Sequence, residues 1–288
     1  MKPPPFSYRR AASLGEAAEW LADLGGEAKV LAGGQSLVPM LSFRLARPSA
    51  LVDVSRVPDA CDLRHEEGRL RIGALATHRQ LEHAPLEELP GGFALLPRAA
   101  RLVGHPPIRL RGTFGGSIAH ADPAAEWCVL ATLFDAEIVA LSRAGVRTIP
   151  VAEFFRGFFA TALRPDEVLA EVVLRHGGRE AALVEFARRH GDFALVAAAA
   201  SLDGTPERVV EPRVVVGGVH DVPFRSAAAE AALAGAALTP EAIAAAAAAA
   251  AAEVEPASDV HADAAHRRQL TGTLVRRALE EVRSRWRP

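Results

Sequence analysis

Residues 31–39 read Leu-Ala-Gly-Gly-Gln-Ser-Leu-Val-Pro, and residues 113–117 read Thr-Phe-Gly-Gly-Ser. In each stretch a glycine pair is followed within two residues by a serine. Glycine adopts φ > 0 readily and leaves no Cβ in the way of a ligand, and consecutive N–H groups in such a turn form an anion-binding concavity. Two turns of this kind from separate segments can hold a pyrophosphate from two sides. The pattern therefore predicts a dinucleotide site formed without a Rossmann loop.

Each glycine pair taken alone has a simpler interpretation, because Gly-Gly is also common in plain turns. Neither stretch matches the dinucleotide fingerprint G-x-G-x-x-G or the P-loop G-x-x-x-x-G-K-[ST]. The sequence also lacks the G-x-S-x-G motif, so it gives no support to a Ser-His-Asp hydrolase. Spacing alone leaves both a plain turn and a nucleotide site open.

Composition narrows the functional classes. The chain has 288 residues, of which 50% are hydrophobic, so it is long enough for about two domains with sizeable cores. Its formal net charge is −2 and its pI is about 6.6. This balance gives no electrostatic footprint of nucleic-acid binding. The only cysteines are Cys61 and Cys128. An iron–sulfur cluster typically takes four cysteine ligands, so any cluster that serves this protein must lie in another chain.

Targeting signals are not evident in the sequence. Residues 1–6 include three prolines and no apolar segment of the kind that secretory signals carry. No stretch of about 20 residues is apolar enough to span a membrane, and the alanine run at 244–252 is short and only weakly hydrophobic. We therefore expect a cytoplasmic protein without a transmembrane segment.

Helical and strand patterns divide the chain into three parts. Residues 1–57 form a small α/β unit, and residues 58–175 continue the alternation of strands and helices. After His176-Gly177-Gly178 the pattern changes to strands followed only by helices, which indicates a separate α+β domain. We therefore predict a first domain at 1–175, with subdomains of about 1–57 and 58–175, and a second domain at 176–288.

His120, Asp122 and Glu126 are residue types that ligate metals, but their spacing fits no common zinc motif. In the simpler interpretation Asp122 caps a helix that begins near Ala124. Residues 188–193, Arg-Arg-His-Gly-Asp-Phe, are equally compatible with a solvated strand end and a turn. We therefore predict no metal site and assign no catalytic residue.

Four stretches, in order along nearly the whole chain, resemble the FAD-binding medium subunit of molybdenum hydroxylases. This family includes the carbon monoxide dehydrogenase medium subunit and the xanthine dehydrogenase FAD-binding subunit. The stretches are residues 31–48 with the first glycine pair, residues 104–126 with the second pair, residues 188–193 and residues 260–268. Together they are far more specific than either glycine pair alone.

The resemblance implies an α+β fold, with a two-subdomain FAD-binding unit of the vanillyl-alcohol-oxidase (PCMH) type and a small C-terminal flavoprotein domain of antiparallel sheet plus helices. It also implies how FAD is held. Both glycine stretches would bind the pyrophosphate and ribityl chain, one acidic residue would contact FAD, one residue would touch the adenine side, and two would lie near the isoalloxazine ring. The pyrophosphate and ribityl residues would be Ala32, Gly33, Gly34, Gln35 and Ser36 with Thr113, Phe114, Gly115, Gly116 and Ser117. The acidic contact would be Glu126, the adenine-side residue Leu169, and the residues near the isoalloxazine ring Val103 and Phe193.

The chain departs from some relatives at two points. Those relatives carry a lysine near the N1 end of the flavin, at about Val184 or Glu185 here, and this chain has none. Gln35 stands where some relatives have histidine. The missing lysine changes the expected charge around the flavin.

The resemblance implies electron relay by the protein. A large subunit with a molybdenum cofactor would oxidise the substrate, which the sequence leaves open among carbon monoxide, purines, aldehydes and N-heterocycles. A small [2Fe-2S] subunit would pass single electrons to FAD in this chain, and FAD would reduce NAD, a quinone or another acceptor. The implied assembly is a dimer of heterotrimers.

Two other functions stay open at the level of the sequence. A self-sufficient FAD-dependent oxidase would need a general base beside the flavin, and no residue stands out for that role. A non-catalytic nucleotide-binding or assembly protein would need glycine turns that bind no flavin. A visible spectrum separates the second from the others, because bound flavin absorbs near about 450 nm and the protein itself does not.

Overall fold

The computed structural model describes residues 2–286. Its first unit is a parallel sheet in the order β1–β3–β2, so β3 is the central strand. This strand is buried along its whole length, as expected for a parallel strand covered on both faces. The elements are β1 (Ser7–Arg10), α1 (Leu14–Leu24), β2 (Ala28–Leu31), α2 (Leu37–Ser42) and β3 (Ala50–Asp53).

The second unit is a five-stranded antiparallel sheet in the order β4–β5–β10–β6–β7 with helices on it. Its last strand in the chain, β10, is central and pairs with both β5 and β6. The strands are β4 (Leu63–Glu66), β5 (Arg69–Gly73), β6 (Glu137–Ser142), β7 (Gly145–Pro150) and β10 (Val168–Leu174), with β8 (Phe155–Gly157) and β9 (Ala160–Thr161) as a separate pair. The helices are α3 (His78–Glu82), α4 (Leu96–Ala100), α5 (Pro106–Arg111), α6 (Phe114–His120), α7 (Glu126–Leu133) and α8 (Val151–Phe154).

The third unit is an antiparallel sheet in the order β11–β12–β13–β14, followed by three helices. The alanine run forms α10, whose buried stripe includes Ile243, Ala246 and Ala250. Alanine has high helix propensity and its small side chain permits close helix packing. The elements are β11 (Glu180–Phe186), β12 (Val196–Thr205), β13 (Arg208–Gly217), β14 (Phe224–Arg225), α9 (Ala227–Leu233), α10 (Pro240–Glu253) and α11 (Ala264–Arg285).

Both faces of the third sheet are apolar. Successive side chains of a strand point to opposite faces, and β12 has alanines on both. Ala198 and Ala200 of β12 belong to the core shared with the C-terminal helices. Ala197 and Ala199 of the same strand belong to the core of the second unit. The sheet is therefore packed between its own helices and the second unit, and the predicted α+β arrangement of antiparallel sheet plus helices is confirmed.

Helix α7 lies at the centre of this packing. Seven of its eight residues are buried, as expected for a helix that is apolar all round. Its Trp127 side chain is completely buried and donates a hydrogen bond from Nε1 to His78 Nδ1 at 3.0 Å. Burial, and secondarily the positive charge of Arg109, lowers the pKa of His78 to about 4. His78 is therefore neutral at neutral pH, and its Nδ1 accepts.

The length and charge of the helices show whether any of them could span a membrane. Within residues 2–286, no helix combines the length and the apolar character needed to cross a bilayer. The longest helix, α11, has 22 residues, and arginines recur along it.

We expect acidification to weaken the folded state through His78. An unfolded histidine protonates at its ordinary pKa of 6.5, whereas folded His78 resists protonation down to about pH 4. Its contribution to stability is therefore fully present above pH 6.5 and is lost as the pH falls toward 4. The difference in pKa corresponds to about 3 kcal/mol.

Urea unfolding of the wild type and His78→Gln across this pH range measures the effect. The free-energy difference between them should shrink by about 3 kcal/mol between neutral pH and pH 4. His83→Gln, at the end of the same helix, is the control and should differ from the wild type by a constant amount. A constant difference for His78→Gln as well would contradict the assignment.

Candidate functional site

The first glycine pair forms a turn between β2 and α2 that carries a run of free donors. Gly34 has φ of 74°, in the left-handed region. Among residues 2–286, no acceptor is within hydrogen-bond distance of the backbone N–H groups of residues 33–37. The first hydrogen bond of the helical segment is from Val38 N to Gly34 O, at 3.0 Å. Unpaired N–H groups in succession around a left-handed residue form an anion-binding concavity, so this turn fits a pyrophosphate.

The second glycine pair differs from the loop that the sequence predicts. It lies inside α6, whose N-cap is Thr113. The N–H groups of residues 114–117 all have partners inside the protein: Ala76 O, Ala74 O, Thr113 Oγ1 and Thr113 O, at 2.8–3.0 Å. The prediction of a second open concavity is therefore wrong, because capping by Thr113 favours a helix that consumes these donors.

The glycines of the second stretch allow close approach of segments instead. A Cβ at Gly115 would come within 2.6 Å of Ala74 Cα, and a Cβ at Gly116 would come within 2.6 Å of Thr113 Oγ1. Such distances are shorter than side chains tolerate, so only glycine fits at both positions. Gly115 thereby holds α6 against the segment that follows β5.

The two glycine stretches meet in space. A Cβ at Gly33 would lie 2.8 Å from Gly112 Cα and would overlap the carbonyl of Arg111. On the other side, a Cβ at Gly116 would be 3.9 Å from the Cβ of Ala32. The structure therefore brings residues 32–36 and 113–117 together, although they are far apart in sequence.

A second contact joins the turn and the loop that contain the two residues predicted near the isoalloxazine ring. A Cβ at Gly191, which has φ of 85°, would lie 2.6 Å from His105 Nδ1. The turn at 188–193 thus packs on the loop at 103–105. Val103 is half-buried, and Phe193 is 64% exposed. Both side chains border this contact between the second and third units.

Arg109 fixes the loop that contains Val103. Its side chain is almost fully buried and donates from Nη1 to Gly104 O at 2.9 Å. Its Nε donates to Glu82 Oε2 at 3.1 Å, and that ion pair is itself mostly shielded from water. Breaking a buried pair of this kind leaves an uncompensated charge, so Arg109 holds the loop in one position.

Leu169 is buried in the core on β10, at 7% exposure. Its neighbour Ala170 accepts a hydrogen bond from Ala74 N at 3.0 Å, and Ala74 O accepts one from Gly115 N. Leu169 is thus linked to the second glycine stretch through the backbone, while its side chain packs inside the sheet.

Glu126 is at the first position of α7, is 6% exposed, and forms no ion pair with another described residue. Burial, and secondarily the negative charge of Glu185, raises its pKa to about 8. The N-cap of α7 is Ala125, whereas the sequence predicts Asp122 in that role. Asp122 instead accepts from Ala124 N at 2.9 Å in the preceding turn.

Across residues 2–286, no group of three or more histidine, cysteine, aspartate and glutamate side chains is arranged to hold a metal. The His120 ring contacts Phe159 in a tilted arrangement, with ring centroids 4.9 Å apart and an interplanar angle of 37°. The structure thus gives His120 a packing role beside Asp122 and Glu126.

Several residues that shape the site carry no signal in the sequence. Ala74, whose carbonyl receives Gly115 N–H, belongs to no motif. Glu185 lies in an ordinary strand, yet its Oε2 is buried without a partner. Gly112 stands inside the second motif, and its importance follows only from its contact with Gly33.

Two models of known protein families match successive parts of the chain. Residues 4–174 match the model of the FAD-binding domain in molybdopterin dehydrogenase. Residues 181–282 match the model of the CO dehydrogenase flavoprotein C-terminal domain. Together the two matches cover most of the chain.

Individual relatives and solved structures match end to end. The 6-hydroxypseudooxynicotine dehydrogenase complex subunit alpha of Paenarthrobacter nicotinovorans is 41% identical over 100% of this chain and 98% of that protein. The carbon monoxide dehydrogenase medium chain of Hydrogenophaga pseudoflava is 36% identical over 99% of both chains.

Among solved structures, carbon monoxide dehydrogenase of Hydrogenophaga pseudoflava superposes with a TM-score of 0.94 at 37% identity, over 100% of both chains. Quinoline 2-oxidoreductase of Pseudomonas putida 86 gives 0.93 at 36% identity, over 99% of both chains. With the two domain matches, these similarities establish that the chain belongs to the FAD-binding subunits of the molybdenum hydroxylase family and is an FAD-dependent oxidoreductase subunit.

Proposed function

We propose that the chain relays electrons from iron–sulfur clusters of a small [2Fe-2S] subunit to NAD, a quinone or another acceptor. It would work in a cytoplasmic complex with a large molybdenum-cofactor subunit, as a dimer of heterotrimers. Bound FAD supplies the chemistry of this step, because flavin couples one-electron donors to two-electron acceptors. The protein binds and positions it.

The observation that carries the proposal is the run of unpaired N–H groups at residues 33–37. Charge-assisted hydrogen bonds from backbone N–H groups to an anion are about twice as strong as neutral ones. We assign the pyrophosphate to this turn, with Ser36 as part of it. Gly116 and Ser117, on the helix packed against Ala32, complete the wall of the phosphate and ribityl site.

Of the remaining proposed contacts, Val103 and Phe193 belong to the border of the second and third units. Val103, on the loop held by Arg109, and Phe193, on the turn packed against His105, would flank the isoalloxazine ring. Glu126 would contact FAD from the start of α7, and Leu169 would support the adenine side from within the sheet. A cofactor bound at such a border is sheltered by both units.

The small number of cysteines supports the proposal of a partner subunit that holds the iron–sulfur clusters. Cys128 is completely buried and Cys61 half-buried, and the whole sequence has no third cysteine. A cluster needs typically four ligands, so single electrons must arrive from another subunit.

Substrate choice would belong to the large subunit. Relatives of similar identity are named for different compounds: 36% for a carbon monoxide dehydrogenase, 35% for a nicotine 6-hydroxylase and 31% for a caffeine dehydrogenase. Since relatives about equally similar to this chain are named for different compounds, we assign to the medium subunit the electron-transfer step that such complexes would share.

We expect Gly34→Ala to weaken FAD binding. A Cβ at φ of 74° costs about 1–2 kcal/mol and would press on Val38 Cγ2 at 3.2 Å, displacing the N–H groups. Losing one hydrogen bond to a charged phosphate costs roughly 1.5–3 kcal/mol, which raises the Kd of FAD about tenfold to 100-fold. Titration of the flavin-free chain with FAD, followed by flavin fluorescence, measures this change.

Gly68→Ala is the matched control for this titration. Gly68 has φ of 75° in the hairpin between β4 and β5, and its Cβ would meet no atom within 4 Å. It should lose similar stability and keep wild-type FAD affinity. FMN, which has one phosphate, should bind the wild type more weakly than FAD. Equal FAD affinity in both variants would place the pyrophosphate elsewhere.

The isolated chain should oxidise none of the substrates of this enzyme class. It has no metal site among residues 2–286 and no base set against a substrate. Purified chain is assayed with purines, aldehydes, carbon monoxide and N-heterocycles, alone and after co-expression with both partner subunits. Slow NADH-dye reduction is compatible with the proposal, because it needs only flavin. Turnover of about 1 per second or faster by the chain alone would instead indicate a self-sufficient oxidase.

A further inference from the structure

Glu126 is a buried acid and Glu185 a partly buried one, and neither has a cationic partner among the described residues. Glu126 is 6% exposed at the start of α7. Glu185, near the end of β11, has its Oε2 buried and without a hydrogen-bond partner. Neither forms an ion pair with any residue in the described range 2–286. An ionised carboxylate in such surroundings is costly, so these two side chains need an explanation that packing does not supply.

The strand register places Glu185 on the face of the third sheet that packs on α7. Glu185 is opposite Ala197, and Ala197 is opposite Gly217, so the three form one row across β11, β12 and β13. A Cβ at Gly217 would lie 2.5 Å from Val129 Cγ2 and 3.0 Å from Pro123 O. The helix that begins with Glu126 therefore covers this row, and the two carboxyl groups share one buried layer.

The two acids influence each other electrostatically. Burial raises the pKa of Glu185 to about 7. The pKa of Glu126 is raised to about 8 by burial first, then by the charge of Glu185, and least by Asp122. Two carboxyl groups that share an apolar site do not both ionise, and their protons belong to the pair rather than to either residue.

Other ionisable groups around this layer leave the pair without compensation. On α7, Cys128 is a buried neutral thiol, and the opposing β12 residues on this face, Ala197 and Ala199, carry no charge. On β13, Arg213 is four residues from Gly217, about 13 Å along the strand. From the opposite face, Arg267 of α11 is engaged with Leu195 O, Gly218 O and Asp259, and the His266 ring is next to Phe186.

Short stretches of chain link the pair to the two segments assigned to FAD. Two residues after Glu126, Cys128 Sγ is 3.7 Å from Ser117 O of the second glycine stretch. Directly after Glu185, β11 ends and leads into the turn at 188–193 that packs on His105. Each acid thus belongs to an element that leads to one of the proposed FAD contacts.

We propose that Glu126 and Glu185 share a single proton while the flavin is oxidised, and bind a second proton from solvent when the flavin is reduced. The inference rests on the proposed function. Reduction adds two electrons, from one-electron donors, and one proton to the flavin, which leaves one negative charge. The pair starts with one proton and one negative charge, and it becomes neutral by taking one proton. Two protons are thus taken up per two electrons.

Proton sharing is tested on the full chain before FAD is added. In the unfolded chain both acids ionise near their ordinary pKa of 4.5, whereas the folded pair keeps protons up to about pH 7–8. Their contribution to stability is therefore lost as the pH rises from 4.5 to 8. Glu126→Gln, Glu185→Gln and the double variant should melt like the wild type near pH 5 and at higher temperature near pH 8.

Glu180→Gln, at the other end of β11, is the control for replacing a glutamate of this strand with glutamine. Variants whose melting temperatures differ from the wild type by the same amount at every pH would indicate a purely structural role and overturn proton sharing. Glutamine matches the protonated acid in shape. If one single variant does not fold, the other carries the same comparison.

Proton uptake on reduction is tested by the midpoint potential of the FAD-bound chain between about pH 7 and 8, where the oxidised pair holds one proton. Two protons per two electrons change the equilibrium constant 100-fold per pH unit, a slope of about 59 mV, whereas one proton gives tenfold, about 30 mV. We expect the steeper slope in the wild type and the shallower one in the double variant. Equal slopes in the wild type and the double variant would refute proton uptake on reduction. Failure of the wild-type chain to bind FAD would refute the proposed function while leaving the melting comparison intact.

Discussion

The fold depends on the complete burial of α7. Seven of its eight residues are buried, six of them with no access to solvent, so the helix needs partners on every side. The second unit supplies them on one side and the third sheet on the other. Since a helix buried all round cannot be exposed without a large hydrophobic penalty, the two domains are held together. The loops that meet at their border, 103–105 and 188–193, keep a fixed relation for the same reason.

The close approach of backbones at Gly33 and Gly115 plays the equivalent role inside the first domain. The segment at 111–112 occupies the space that a side chain at Gly33 would take, and Ala74 occupies that space at Gly115. The contact at Gly33 joins the parallel unit to the antiparallel one, and the contact at Gly115 holds α6 within the antiparallel unit. The turn at residues 33–37, whose N–H groups are free, thereby lies against residues 114–117, whose N–H groups already donate hydrogen bonds within the protein. The phosphate site is therefore asymmetric: residues 33–37 donate, and α6 forms a wall.

Polar groups inside the structure serve different purposes according to their partners. Arg109 is paired with Glu82 and holds a loop through Gly104 O, which makes it a fixed positioning residue. The pair Glu126 and Glu185 has no compensating cation, so its protonation responds to charge that appears nearby. A buried group with a partner gives rigidity, and a buried pair of like acids gives a titratable response.

The sequence by itself determined the α+β class and the family, because strand and helix periods are local and the motifs are read directly from residues such as Gly33, Gly34 and Thr113. It also indicated that clusters must come from elsewhere, since that needs only a count of cysteines. Only the tertiary structure decided that Gly115 and Gly116 belong to a helix, that Gly33 meets Arg111, and that Glu126 faces the layer of Glu185. These outcomes depend on which distant segments are neighbours in space. Hydrogen-bond partners and local dielectric are set by those neighbours rather than by adjacent residues.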